Sequence, residues 1–264
     1  MNDLATLSDE LRAQQDDLDE IVEALAASQW SLPTPSPGWT IADQIGHLSY
    51  FDGSAAQAIN DPDGFAAGVE ELFASVATIG PDEFTLASYR AMDPDELLAS
   101  WRENRLLLAE AATRLAEGAR VPWYGPSMGA KSFLTARLME VWAHGTDIAD
   151  SVGSRLDATD RLRHIVQLGV ITRGWSYSVR GLEIPSGTVA VELEGPGGDL
   201  WTYGDPTSAE SVRGPAEDFC LVVTQRRNLE DTHLEVTTLA RDWLLRAQAF
   251  AGAPTEGPAP RGDS

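Results

Sequence analysis

Cysteine, lysine and long apolar runs are almost absent from this sequence. Cys220 is the one cysteine among 264 residues, which excludes an intrachain disulfide and a cysteine-rich zinc module. Lys131 is the one lysine, and 19 basic residues face 41 acidic ones, giving a formal net charge of −22. A field this negative repels nucleic acid and disfavours adsorption to an anionic membrane.

The sequence also has no run of about 18 apolar residues that could span a bilayer. Its first twenty residues lack the basic and then apolar segments of a signal peptide. We therefore expect a cytoplasmic protein that binds neither nucleic acid nor membrane. Apolar residues still make up 43% of the chain, which is enough to form a buried core.

Hydrophobic spacing predicts helices over most of the first two-thirds of the chain. Ser8 or Asp9 is expected to cap the first helix, Thr40 with Asp43 the second, and Asp93 the helix that follows Pro94. A loop with three prolines, residues 32–40, precedes the second helix. The predicted helices cover about residues 8–28, 40–60, 65–78, 94–115, 131–152 and 158–179.

The pattern changes after Gly181. The segments TVAVELEG and LWTYG alternate apolar and polar residues around a glycine-rich turn, which predicts a hairpin. Helices are expected over 215–227 and 238–251. We therefore predict an α+β protein, with an antiparallel four-helix bundle at 1–180 and a small α+β domain at 181–251. The Gly- and Pro-rich tail, 252–264, is predicted to be disordered.

Three side chains form a candidate metal site. Glu140 and His144 are four residues apart on a predicted helix, a spacing that places them on one face. His47 can meet them if the second and the fourth long helices are neighbours. Two imidazoles and one carboxylate would leave open positions on a metal, as a catalytic site requires. The alternative is a solvated ion-pair stripe from Arg137 to Asp147, with His47 as a core histidine.

Two motifs resemble a known family. The first combines Gly-Trp-Thr at 38–40 with a histidine and a later aspartate, and the second combines Arg-Leu-Met-Glu with His-Gly-Thr-Asp. In chain order their polar residues are Thr40, His47, Asp52, Arg137, Glu140, His144, Thr146 and Asp147. Together they resemble the DinB-like superfamily and, within it, the mycothiol-dependent maleylpyruvate isomerase group. The resemblance implies a four-helix bundle that holds a divalent metal, usually zinc, through His47, Glu140 and His144.

The resemblance extends to the second domain. In the family a C-terminal α+β domain carries a helix that ends in an arginine near the substrate pocket. DFCLVVTQRR is similar to that segment, and Arg226 matches the arginine, although Gln225 replaces a glycine common in the family. The group uses mycothiol, a small-molecule thiol. The resemblance therefore implies a zinc-activated thiol that adds to an electrophilic substrate, for isomerisation or S-transfer.

Several roles stay open at this stage. Asp147 either orients His144 as an outer partner or caps the end of the helix. Arg226 is expected to hold an anionic group of the substrate; Arg137 either does the same or makes an ion pair. A thiol-independent Lewis-acid enzyme of specialised metabolism, catalysing hydrolysis, dehydration or cyclisation, would use the same metal. So would a non-catalytic metal-binding protein. Cys220, among apolar neighbours, is predicted to be a buried inert thiol.

Overall fold

The computed structural model describes residues 4–262, apart from the side chains of residues 75–79. The chain divides into two compact units, Met1–Leu156 and Asp157–Ser264. The first is helical with one short hairpin, and the second combines helices with a four-stranded sheet. The predicted α+β class is confirmed. Along the described stretch of chain, no helix has the length and apolar character needed to cross a membrane.

The first unit is organised around four long helices. Helix α2 packs most extensively on α5, and α1 on α6, while α2–α6 and α1–α5 contacts complete the bundle. The elements are α1 (Leu4–Glu23), α2 (Ile41–Asn60), α3 (Pro62–Ile79), α4 (Pro81–Arg90), α5 (Pro94–Ala112), β1 (Arg120–Val121), β2 (Met128–Gly129) and α6 (Ala130–Val152), with a 3₁₀ turn at Ala27–Ser31.

Local sequence explains where these helices begin. Thr40 accepts a hydrogen bond from the Asp43 amide at 3.3 Å, and Asp43 accepts one from the Thr40 amide at 2.9 Å. This reciprocal capping confirms the predicted start of α2. Asp93 caps α5 in the same way. Helix α1 begins at Leu4, before the predicted caps Ser8 and Asp9, and the fully buried Leu7 extends its apolar face in that direction.

The helix predicted over 65–78 corresponds to α3, and a second helix, α4, follows in a segment where the sequence predicted none. Gly80, with φ +83°, separates them, and Pro81 is the first residue of α4. Glycine tolerates this left-handed conformation, and proline is favoured at the first position of a helix. Only Thr85 and Leu86 of α4 are buried, so its sequence has little apolar periodicity from which to predict it.

The second unit contains a mixed sheet in the order β4-β3-β5-β6. The predicted hairpin is β3–β4; β5 lies parallel to β3 and β6 antiparallel to β5. The elements are α7 (Leu162–Ile171), α8 (Arg173–Ser178), β3 (Ala190–Glu194), β4 (Leu200–Tyr203), β5 (Ser211–Pro215), α9 (Ala216–Val223), β6 (Glu235–Val236) and α10 (Thr238–Leu244), with a 3₁₀ turn at Leu229–Asp231.

The structure places the domain boundary after residue 156, whereas the sequence predicted it at residue 180. Helix α7 packs on α9, and the contact is close: a Cβ at Gly169 would lie 2.9 Å from both Phe219 and Val223. The predicted helix over 158–179 is also broken at Thr172, whose hydroxyl donates to the Leu168 carbonyl at 2.7 Å. Helical periodicity could not show which domain α7 and α8 join.

The tail also differs from the prediction of disorder. Residues 252–262 form neither helix nor strand, yet they hydrogen-bond to the second unit. The Gln225 and Asn228 side-chain amides donate to the Thr255 and Pro258 carbonyls at 3.2 and 2.8 Å. Gly and Pro prevent this segment from building a core, but its backbone still finds polar partners. The last two residues of the predicted tail lie outside the described residues.

Candidate metal centre

His47, Glu140 and His144 converge in the helical unit. Helix α2 carries His47, and α6 carries the other two residues one turn apart. Glu140 Oε2 lies 3.1 Å from His144 Nε2 and 3.6 Å from His47 Nε2. One nitrogen or oxygen atom from each side chain lies within 4.8 Å of the others. The contact between α2 and α6 therefore brings together the ligand set that the sequence predicted.

The spacing of these atoms fits a divalent metal. Ligand atoms 2.0–2.2 Å from a tetrahedral zinc ion lie roughly 3.3–3.6 Å apart, and the two Glu140 distances are close to this range. Three protein ligands leave a coordination position for a small molecule. The His47 and Glu140 side chains keep 18% and 24% of their surface exposed, so the donor set is partly accessible to solvent.

The electrostatics of Glu140 suit a ligand. Burial on its own would raise the pKa of the Glu140 carboxyl. Hydrogen bonds and charge from His144 and His47 outweigh that effect and hold the pKa well below its ordinary value. The carboxyl is therefore ionised at neutral pH, which is the form that binds a cation.

Gln44 is the residue at this site that the sequence analysis missed. It is fully buried, and its Oε1 atom faces His144 Nδ1. Its amide nitrogen donates to Thr34 Oγ1 at 2.8 Å and to Asp147 Oδ2 at 3.4 Å. The signal was available, because Gln44 lies three residues before His47 and so on nearly the same face of α2.

Aromatic rings flank the two imidazoles. The Trp39 ring centroid lies 5.1 Å from that of His47 and 5.9 Å from that of His144, with which it stacks. Phe51 lies 4.5 Å from His47. The Trp39 indole nitrogen donates to Asp82 at 2.9 Å, which fastens the indole to α4. These rings restrict rotation of the imidazoles and keep water from their flanks.

Arg137 does not have the substrate-binding role considered from the sequence. Its guanidinium donates to Asp52 Oδ1 from Nη2 at 2.9 Å and from Nε at 3.2 Å. The two side chains are 4% and 0% exposed. Gln15 and Trp101 donate to the other Asp52 oxygen. The ion pair is thus sealed in the core of the bundle, where an anionic substrate cannot reach it.

Arg226 follows α9 in the second unit. It is half-buried, and its guanidinium donates to the Thr224 carbonyl at 2.7 Å. The preceding Gln225 has φ +60°, a conformation that favours glycine. This explains why a glycine at that position would suit the resembled family. The substrate-binding role of Arg226 stays a prediction.

Cys220 is expected to be unreactive in the native protein. It is fully buried, with Sγ 3.7 Å from the Leu162 carbonyl. Burial raises the pKa of its thiol well above the ordinary value, so the thiol stays protonated at pH 8. A disulfide reagent should therefore label it roughly 100-fold more slowly in native than in urea-unfolded protein. Equal labelling rates would contradict this and reveal an accessible thiol.

Comparison with solved structures gives the class of fold. A crystal structure of a mycothiol-dependent maleylpyruvate isomerase aligns with a TM-score of 0.59 at 14% identity, over 85% of this chain and 90% of that chain. The structure of a histidine-to-alanine mutant of a mycothiol-dependent maleylpyruvate isomerase aligns with a TM-score of 0.58 at 15% identity, over 87% and 91%. At these identities the likeness establishes a shared fold.

Sequence comparison establishes the family. The family model described as the mycothiol maleylpyruvate isomerase N-terminal domain matches residues 11–149, more than half of the chain, so the chain belongs to that family. Two Mycobacterium tuberculosis relatives, the uncharacterized proteins Rv0036c and MT0041, are each 47% identical over 251 residues. These alignments cover 94% of this chain and 96% of each relative. The DinB-like resemblance found in the motifs is confirmed.

Proposed function

We propose that this protein is a zinc enzyme that uses a low-molecular-weight thiol, such as mycothiol, to act on an electrophilic small molecule. His47, Glu140 and His144 would hold the metal. The observation that carries the proposal is the convergence of these three donors, two of them partly exposed, in a member of the mycothiol maleylpyruvate isomerase family. Small-molecule partners, and neither nucleic acid nor membrane, belong to the same proposal, as does a cytoplasmic location.

The donor set suits the chemistry of a borrowed thiol. Zinc held there would deprotonate a coordinated thiol at neutral pH and so supply a thiolate. The protein's own Cys220 is buried and cannot take that role. For isomerisation, the thiolate sulfur would form a C–S bond to a C=C bond conjugated with a carbonyl group, whose oxygen would take the electron pair as an enolate. Rotation about the resulting C–C single bond would follow, and the enolate would then re-form the C=C bond and expel the thiolate.

Each protein group has a part in this reaction. The Glu140 carboxylate and the two imidazoles would hold the metal and, through it, position the thiol sulfur. Trp39 and Phe51 exclude water from the flanks of the imidazoles, which strengthens electrostatic interactions there. We propose that Arg226 pairs with an anionic group of the substrate, because a guanidinium can bind a carboxylate through two hydrogen bonds.

Calorimetric titration with mycothiol tests this function. Metal-loaded protein is expected to bind mycothiol, with a proton released on binding that is detected by repeating the titration in buffers of different ionisation enthalpy. Metal-free protein and S-methyl mycothiol, which has no thiol proton, are the matched controls. Both are expected to bind at least roughly tenfold more weakly.

The alternative functions predict other results in this titration and on removal of the metal by a chelator. Indifference of the metal-loaded protein to mycothiol would overturn thiol activation and favour a thiol-independent Lewis-acid enzyme. Loss of the fold on chelation would indicate a structural metal in a non-catalytic protein. Equal mycothiol binding with and without metal would show that the thiol binds away from His47, Glu140 and His144.

A further inference from the structure

A chain of hydrogen bonds runs behind His144. Ser36 Oγ donates to Asp147 Oδ2 at 2.9 Å, and the same oxygen accepts from Gln44 Nε2 at 3.4 Å. Gln44 Nε2 also donates to Thr34 Oγ1 at 2.8 Å. The amide oxygen of Gln44 faces His144 Nδ1. Both ends of this fully buried amide therefore have polar partners within hydrogen-bond distance.

The charge of Asp147 determines which way this amide points. A carboxylate only accepts hydrogen bonds, so the amide group that faces it must be the NH₂ of Gln44. The amide oxygen is then directed at His144, and because that oxygen also only accepts, Nδ1 must carry the ring proton. Nε2, which faces Glu140 Oε2 at 3.1 Å, is then the ring nitrogen left for a metal, and a proton that Nε2 donates to the carboxylate would leave when the metal binds.

We propose that Asp147 and Gln44 are positioning residues that fix the tautomer of His144, with Asp147 acting through Gln44. This rests on the proposed function, since the fixed tautomer directs Nε2 toward the proposed metal position. A metal can coordinate only through a ring nitrogen that has lost its proton. Because Gln44 holds a proton on Nδ1, Nε2 is the nitrogen from which the metal would displace a proton.

The same amide also anchors the loop of residues 32–40. Thr34 and Ser36 of that loop contact Gln44 and Asp147, and Trp39 of the loop stacks on His144. The ring tautomer and the position of the indole thus depend on one carboxamide. A change in Gln44 is expected to affect the metal ligand and the environment of Trp39 together.

Proton-coupled ¹⁵N spectra of metal-free protein, above the pH at which imidazoles titrate, read the tautomer directly. Wild type is expected to show a proton on His144 Nδ1, with or without a second proton on Nε2 shared with Glu140. Gln44→Met removes the acceptor at similar volume, so a mixture of tautomers should appear and zinc affinity should fall roughly 10–100-fold. Asp150→Asn, on the same helix and with the same chemical change as Asp147→Asn, is the control that should match wild type.

Asp147→Asn is the sharper variant, because it preserves size and removes only the charge that orients the amide. It is expected to mix the His144 tautomers even though it leaves the three ligands unaltered. Adding Gln44→Glu should restore Nδ1 protonation, since the introduced carboxylate accepts from both the imidazole and the new amide. A residue that only supports folding would not show this reversal.

Two results would overturn this proposal: a wild-type His144 without a proton on Nδ1, or folded Gln44→Met protein with wild-type tautomer and zinc affinity. Circular dichroism confirms the fold of each variant. If wild type bound no metal, the proposed function would fail. The tautomer of His144 in the metal-free protein would still show whether Gln44 and Asp147 position that imidazole.

Discussion

Replacing Arg137 by methionine is expected to lower the free energy of unfolding by about 3–5 kcal/mol. The substitution leaves Asp52 ionised, or forces it to take up a proton, at a position with no exposed surface. Burial already raises the pKa of Asp52 and the charge of Arg137 opposes that effect. The remaining donors, Gln15 and Trp101, are neutral and cannot replace a cation.

Urea denaturation, followed by circular dichroism, measures this loss. Arg114→Met is the matched control, because Arg114 is exposed and bonds only to the exposed Asn60 among the hydrogen bonds described for it. It should change stability by no more than about 0.5 kcal/mol. Adding Asp52→Asn to Arg137→Met should recover part of the loss, because the unpaired charge is then removed. Unchanged stability with weakened substrate binding would instead place Arg137 in a pocket.

The contrast between Arg137 and Glu140 shows what the sequence could predict. Both lie on one stripe of α6 and both were candidate site residues, so helical spacing treats them alike. Their environments differ because α2 presents His47 to Glu140 but Asp52 to Arg137. The convergence of the three proposed ligands required only that α2 and α6 be neighbours, as the sequence analysis assumed and the structure shows. The roles of the other residues depend on their rotation about the helix axes.

Elements with strong local signals were predicted well, and those that depend on distant partners were not. The Thr40 cap and the β3–β4 hairpin are encoded within a few residues and were confirmed. Strand β5 was missed because it pairs in parallel with β3, from which β4 separates it along the chain. Strand β6 was missed because it has only two residues. Neither has a turn or an alternation of its own that could be recognised.

The Asp147 prediction illustrates a different difficulty. Sequence spacing, which puts Asp147 nearly one turn from His144, left open whether Asp147 orients that imidazole or caps the helix end. The structure adds Gln44, which contacts both side chains and comes from another helix. A glutamine has no charge and is not a usual metal ligand, so a search for ligand-type residues passes over it. Its importance arises from complete burial, which leaves the orientation of its amide to the surrounding charges.

Replacing His47 by alanine is expected to eliminate stoichiometric zinc binding while the helical bundle remains folded. His47 is the ligand supplied by α2, so its loss leaves only the two ligands of α6. The affinity should fall by more than the roughly 10–100-fold that loss of an outer partner costs. Elemental analysis of protein purified with added zinc measures the metal content, and circular dichroism measures the helical content.

His233→Ala is the control for removal of a histidine. The His233 side chain is 89% exposed and belongs to the second unit, so this variant should keep wild-type zinc content. Retention of zinc by His47→Ala would show that the metal is held elsewhere. Loss of both zinc and helical signal would make the metal structural, because a structural site contributes its binding energy to folding. Loss of zinc from a protein that stays folded would exclude both a metal held elsewhere and a structural metal. Such a result would mean that the other contacts of the bundle suffice for folding, and that the three proposed ligands serve to present the metal to a small molecule.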